Sequence, residues 1–137
     1  MRRIIATALI GATVLLFAGC AADRRSQTLT ETLLAYGNAI RWNGFPSALQ
    51  FVDPKVRAAH PLTSLDMVRY QQVRVSDYDD DAGPVPVSPN EVHQLVKIGL
   101  INRNTQSERT VIDHQTWRYD PKTHHWWLES GLPDITE

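Results

Sequence analysis

"EVHQLVKIGLINRNTQSERTVIDHQTWRYDPKTHHWWLES", residues 91–130, alternates apolar and polar residues over two long runs and a shorter third, interrupted twice by turn-forming residues. Successive side chains of an extended strand point to opposite faces, so Val92, Val96, Ile98 and Leu100 fall on one side of the run 91–101. The runs "RTVIDHQTWRY" and "HHWWLES" continue as further strands. A turn in "NRNTQS" centred between Asn104 and Thr105 sets Ile98 opposite Val111 and Ile101 opposite Glu108. Asp120-Pro121-Lys122-Thr123, with proline second, is favourable turn chemistry and sets Trp117 opposite Trp126, an aromatic pair that ties neighbouring strands. One apolar face then reads Val96, Ile98, Leu100, Val111, Trp117, Trp126 and Leu128, with Trp127 on the other. "YQQVRVSDY", residues 70–78, adds a strand with Val73 and Val75 on one side. The second half of the chain is expected to be antiparallel sheet.

Upstream the period changes from two to nearly four. Thr28-x-x-Glu31 has the form of a capping box, and Leu29, Leu33, Tyr36 and Ile40 follow at helical spacing, which predicts a helix over 29–42. Asn43-Gly44 ends it. Pro46 suits the first turn of a second short helix carrying Ala48, Leu49, Phe51 and Val52, which Asp53-Pro54 stops. Pro61 breaks the next segment, and Thr63 or Ser64 caps a short helix containing Leu65, Met67 and Val68. In this arrangement Trp117 and Trp126 pack against residues 29–42, near Leu33, Tyr36 and Ile40, which makes Tyr36, Trp117 and Trp126 candidate pocket or core residues.

A chain of 137 residues with 42% hydrophobic residues and four Trp is of the size for one domain with one modest core. Its opening has a different character. Arg2 and Arg3 precede an uncharged apolar stretch from Ile4 to Phe17, then the small residues Ala18 and Gly19, then Cys20. That order is the charged region, apolar region and small-residue cleavage site of a secretory signal, and it is too short for a spanning helix, which needs about 20 apolar residues. Leu16-Phe17-Ala18-Gly19-Cys20 resembles the lipobox of bacterial lipoproteins. The resemblance implies acylation of the Cys20 thiol, cleavage before it, and, with Ala21 next in line, attachment to the outer membrane facing the periplasm. More than one acyl chain is needed for stable anchoring, at about 0.8 kcal/mol per buried CH₂. The expected organisation is a lipoprotein signal peptide over 1–19, a lipidated Cys20 with a short polar tether to residue 27, and a domain over 28–137.

The charge balance narrows the partners. Removing residues 1–19 takes two of the 14 Lys and Arg and none of the 15 Asp and Glu, leaving a body near −3. Nucleic-acid surfaces want clustered Lys and Arg, so no nucleic-acid partner is expected. Cys20 is the single cysteine, so the chain forms no internal disulfide.

Helix, short helices, then a curved antiparallel sheet of about four strands is an α+β order that resembles the NTF2-like (cystatin-like) cone. The residues that carry the likeness are "TLTETLLAYGNAIRWNGFPSALQFVDP" for the helical half with "VHQLVKIGLI", "TVIDHQTWRYD" and "HHWWLES" for the sheet. It implies a sheet wrapped over the helix at 29–42 with a pocket at its open end. Members of that family include enzymes, binding modules and assembly adaptors, so the fold does not select a function.

Few residue patterns suggest chemistry. Asp77, Asp79 and Asp81 match the first ligands of a calcium loop, but Ala82 stands where the loop needs glycine and Ser88 where it needs glutamate. His60, His93, His114, His124 and His125 lack zinc-ligand spacing, and His124 and His125 are read as strand neighbours pointing to opposite faces. No glycine-rich phosphate loop or nucleophile elbow is present in the sequence, so no metal and no cofactor is expected. Asp113 shares the apolar face in the register above, where desolvation raises its pKa as a general base requires. A one-residue slip turns Asp113 to solvent and brings His114 inward, and that solvated arrangement is the expectation. Two function classes follow. The first is a lipid-anchored, non-enzymatic binding or assembly module for an envelope protein, a peptidoglycan fragment or a small apolar ligand. The alternative is a small pocket enzyme of dehydratase, isomerase or hydrolase type, with Asp113 or His114 as its base.

Overall fold

The computed structural model describes residues 2–136, with side chains from residue 19 onward. The lipobox pattern and signal features before residue 19 therefore lie outside the described side chains. Helix α1 runs without a break from Arg2 to Asn38 and passes into a π-helical turn, Ala39–Asn43. Residues 20–27, read from the sequence as a tether, are helical. So is the Thr28-x-x-Glu31 box, whose hydroxyl caps nothing: Thr28 Oγ1 donates to Arg24 O at 2.8 Å and Thr32 Oγ1 to Thr28 O at 2.8 Å. Threonine hydroxyls bond back to the preceding turn inside a helix when that turn exists, and the Gln27–Glu31 contact at 3.0 Å supports the same continuity. Arg25 shows why the helix persists here: Nη1 donates to Pro89 O at 2.7 Å, its guanidinium lies 5.0 Å from the Tyr119 ring centre, and its carbonyl accepts from Trp126 Nε1 at 3.1 Å.

After Gly44 come helix α2 (Phe45–Ala48), with proline in its first turn, and a 3₁₀ turn (Leu49–Phe51). Val52 then forms an isolated parallel bridge to Leu128. Asp53-Pro54 ends one element and starts another that sequence reading missed, because Asp53 Oδ1 accepts from Lys55 N at 2.7 Å and caps helix α3 (Pro54–Ala59). Helix α4 (Ser64–Gln71) is capped by Thr63, one of the two caps the sequence offered, and Asp66 completes a capping box that the sequence reading did not single out.

Five strands are present among the described residues, one more than expected: β1 (Val73–Asp79), β2 (Val85–Ser88), β3 (Glu91–Asn102), β4 (Glu108–Asp120) and β5 (His125–Leu128). They form one antiparallel sheet in the order β1-β3-β4-β5, with β2 also paired to β3. Strand β2 carries Pro86, which an edge strand tolerates. Ile98 faces Val111 and Ile101 faces Glu108, the register expected from the first turn.

The second hairpin differs. Trp117 faces Leu128 and Tyr119 faces Trp126, two residues from the expected pairing. The connection is longer than a two-residue turn because His124 adopts a left-handed conformation (φ 55°) and belongs to the turn, not the strand. Its Nδ1 meets Tyr119 Oη at 2.9 Å, while the Asp120 carboxylate accepts from Lys122 N and Thr123 Oγ1. A shift of two preserves parity, so Trp117 and Trp126 still share the buried face.

In β1 the register slips between Val75 and Asp77, a bulge that takes up Ser76 and turns Tyr78 inward. Gly99 of β3 accommodates it: a Cβ there would lie 2.6 Å from Ser76 Oγ. The outcome is an α+β fold in which the long N-terminal helix lies in a curved antiparallel half-barrel. Leu33 and Tyr36 of α1 and Ile40 of its π-helical end meet Val96, Ile98, Leu100, Trp117 and Trp126 in one core. Tyr36 stands edge-on to Trp117 with ring centres 5.2 Å apart. Among the described residues no helix is long and apolar enough to cross a membrane.

Candidate functional site

The concave face of the sheet is apolar except at one place. Gln94 of β3 and Asp113 and Gln115 of β4 point into the core beside Trp117, and all three are buried. The β3–β4 register brings them together, since Gln94 faces Gln115 and Val96 faces Asp113. Gln115 organises the cluster. Its Nε2 donates to Asp113 Oδ2 at 2.7 Å and to Tyr78 Oη at 3.2 Å, and its Oε1 accepts from Trp117 Nε1 at 3.0 Å. The bulge in β1 is what delivers Tyr78, and its ring lies against Gly37 of α1, where a Cβ would come within 3.0 Å. The Tyr36 hydroxyl and Gln94 Oε1 are buried with no hydrogen-bond partner among the described residues.

Asp113 is 7% exposed, so the solvated arrangement expected from the sequence is not the one formed. The side chain that faces outward is His114, which is exposed on the convex side. Burial pushes the Asp113 carboxyl up to about 6, against the opposing pull of its hydrogen bond from Gln115. Burial, followed by the nearby Asp113 charge, holds the Tyr36 phenol well above its ordinary value. Tyr78 is also raised, chiefly by burial, while the bond from Gln115 works in the opposite direction. The cluster is a carboxyl group able to gain or lose a proton near neutrality, walled by aromatic rings.

The other sequence candidates are scattered. Cys20 is exposed and not in a disulfide. Asp77 and Asp79 lie in β1, and Asp79 accepts from Asp81 N at 3.2 Å while standing 3.9 Å from Lys97 Nζ. His93 meets Glu91 at 2.9 Å on the convex side. No group of metal-ligating side chains gathers among the described residues.

Sequence reasoning missed one feature. A cleft of about 470 Å³ opens between residues 39–46 and the edge strand β1, and Arg41, Trp42, Arg74 and Arg103 line it together with Tyr70 and Phe45. The arginines lie some thirty residues apart in sequence; the pairing of Val73 with Asn102 brings Arg74 and Arg103 together, and the π-helical end of α1 adds Arg41. The one available signal was Trp42, an aromatic residue off the Leu33–Tyr36–Ile40 stripe and 73% exposed. No family model, no curated protein and no solved structure matches the chain.

Proposed function

We propose that this chain is a bacterial envelope lipoprotein, held in the outer membrane by acyl chains on Cys20, whose NTF2-like domain works as a binding or assembly module without a reaction of its own. The observation that carries the non-catalytic reading is the filled concave face. Where a pocket enzyme of this architecture would admit substrate, Tyr36, Trp117 and Gln115 are fully buried and Asp113 is bonded to Gln115. The NTF2-like assignment rests on the order of elements, a leading helix, short helices, then the half-barrel. The anchor rests on Leu16-Phe17-Ala18-Gly19-Cys20.

The anchor is tested by labelling producing cells with a palmitate analogue: label is expected on the wild type and absent from Cys20→Ser, and equal labelling of the two removes it. The non-catalytic reading is tested by restoring the gene to a deletion strain as Asp113→Asn. Full complementation is expected, whereas a folded, inactive Asp113→Asn protein would favour the second reading, a pocket enzyme with Asp113 as general base. That second reading has a specific observation behind it, the buried carboxyl raised to about 6. It has no partner in His114, which points away from Asp113.

A further inference from the structure

The cleft at the end of α1 combines three features that ordinary surface does not. Trp42 leaves 73% of its surface in water at the edge of a concave cleft, where an exposed indole offers contact area to whatever enters. Three guanidiniums, Arg41, Arg74 and Arg103, line the same cleft and no Asp or Glu does. None of the three forms an ion pair among the described residues. Arg41 lies over the Trp42 ring at 5.5 Å, and Arg103 is oriented by a bond from Nε to Val73 O at 3.2 Å. Glu108, two strands across in the row of Arg74, reaches toward β1 but accepts from Ser76 Oγ at 2.9 Å and forms no ion pair with Arg74. In a chain whose overall charge is −1, this is a local concentration of guanidiniums outside any ion pair among the described residues, beside an exposed ring that Arg41 covers on one face.

We infer that this cleft binds a carboxylate-bearing saccharide, its ring stacked on Trp42 and its carboxylates held by Arg41, Arg74 and Arg103. Guanidinium groups present paired donors that match a carboxylate, and charge-assisted bonds of this kind are the strong ones. A flat indole face accepts the apolar face of a sugar ring. The choice of saccharide over other anions rests on the envelope reading proposed above, and it fits the placement. The cleft is 22 residues along α1 and its π-helical end from Cys20, about 30 Å at helical rise, so the helix separates it from the anchored end.

The test uses the purified full chain and three probes: a muramic-acid disaccharide peptide, the neutral oligosaccharide chitotetraose, and inorganic phosphate. Tryptophan fluorescence is expected to report binding of the muramyl glycopeptide, weakening with added salt. Trp42→Ala and Arg74→Ala, both at exposed positions and checked for unchanged thermal unfolding, are each expected to weaken it by about tenfold. Chitotetraose is expected to bind far less well and phosphate not to compete. Absence of binding, binding untouched by both variants, equal binding of chitotetraose, or displacement by equimolar phosphate would each overturn the assignment. Binding with no acylation of Cys20 would remove the envelope reading alone, and acylation with no binding would remove this site alone.

Discussion

Replacing Asp113 by Asn removes a charge from the core while keeping the oxygen that accepts from Gln115 Nε2 at 2.7 Å. The folded carboxyl has its pKa raised from 3.8 to about 6, chiefly by burial. A shift of that size corresponds to about 3 kcal/mol, at 1.36 kcal/mol per unit. The sign follows from the raised value. Below the unfolded pKa, Asp113 is protonated in both states and ionisation costs nothing; as pH rises from 3.8 to about 6 the unfolded chain ionises while the buried group resists, so stability falls over that window and stays lower above it. Asp113→Asn is therefore expected to match the wild type near pH 4 and to exceed it by about 2–3 kcal/mol at pH 7.5. Urea denaturation of both proteins at pH 4, 6 and 7.5 measures this, with the full chain and constant ionic strength. A difference that stays flat across the series, or an Asn variant weaker than wild type at pH 7.5, would show that the carboxylate is solvated or otherwise paired and that the cluster does not have the geometry described.

Four further substitutions probe the packing. Trp117→Ala and Trp126→Ala each empty a fully buried site and are expected to cost about 3–5 kcal/mol in chemical denaturation, whereas Trp127→Ala, on the convex side, should cost less than about 1 kcal/mol; the reverse ranking would mean the sheet faces the other way. Arg25→Ala removes the bond to Pro89 O and the stacking on Tyr119, and hydrogen exchange should then accelerate at the amides of residues 21–27 while the β3–β4 amides stay protected. If those amides already exchange at free-peptide rates in the wild type, the docking of this part of α1 is wrong.

Much of the sheet was legible because period-two alternation over 91–101 and 109–119 is long enough to show two strands and their apolar residues, though the face taken by Asp113 and His114 stayed open. The helical segments were legible where caps are local, at Thr63 and at Asn43-Gly44. What was not legible depends on distant partners. Nothing near Thr28 in sequence announces that Arg25 will dock on Pro89, so a capping pattern was read as a helix start where tertiary contacts keep the helix going. The bulge at Ser76 is similar. Strict alternation in β1 would send Asp77 inward with Val73 and Val75, and only the absence of a side chain at Gly99 across the ladder permits the slip that buries Tyr78 in its place. The arginine cleft is less visible still, since its residues come from the π-helical turn, α2, α4, β1 and the turn after β3, which meet at one end of the half-barrel.

Asp113 shows how magnitude decides between two readings that the pattern alone leaves open. A slip of one residue would solvate its carboxyl, which looks favourable when the residue is considered by itself. Register moves the whole strand, however, and the same slip would carry Val111, Trp117 and Tyr119 to the convex side and bring Ile112, His114 and Arg118 inward. Each of the first three is buried as the structure stands, and burial of a large apolar side chain contributes about 1.5–3 kcal/mol. Against their sum, of which Ile112 would recover about one side chain's worth, stands only the cost of holding Asp113 in the core, about 3 kcal/mol at neutral pH, and burying Arg118, which the slip would require, adds a still greater cost on the side of slipping. Arg118 is also engaged outside, with Glu91 at 3.2 Å and Glu129 at 3.0 Å. The strand therefore accepts one strained carboxyl as the smaller penalty, and Gln115 reduces it further by bonding the acid, Tyr78 and, through its carbonyl, Trp117. A buried acid so placed is a consequence of the packing around it before it is anything else, which is why removing its charge is expected to strengthen the domain.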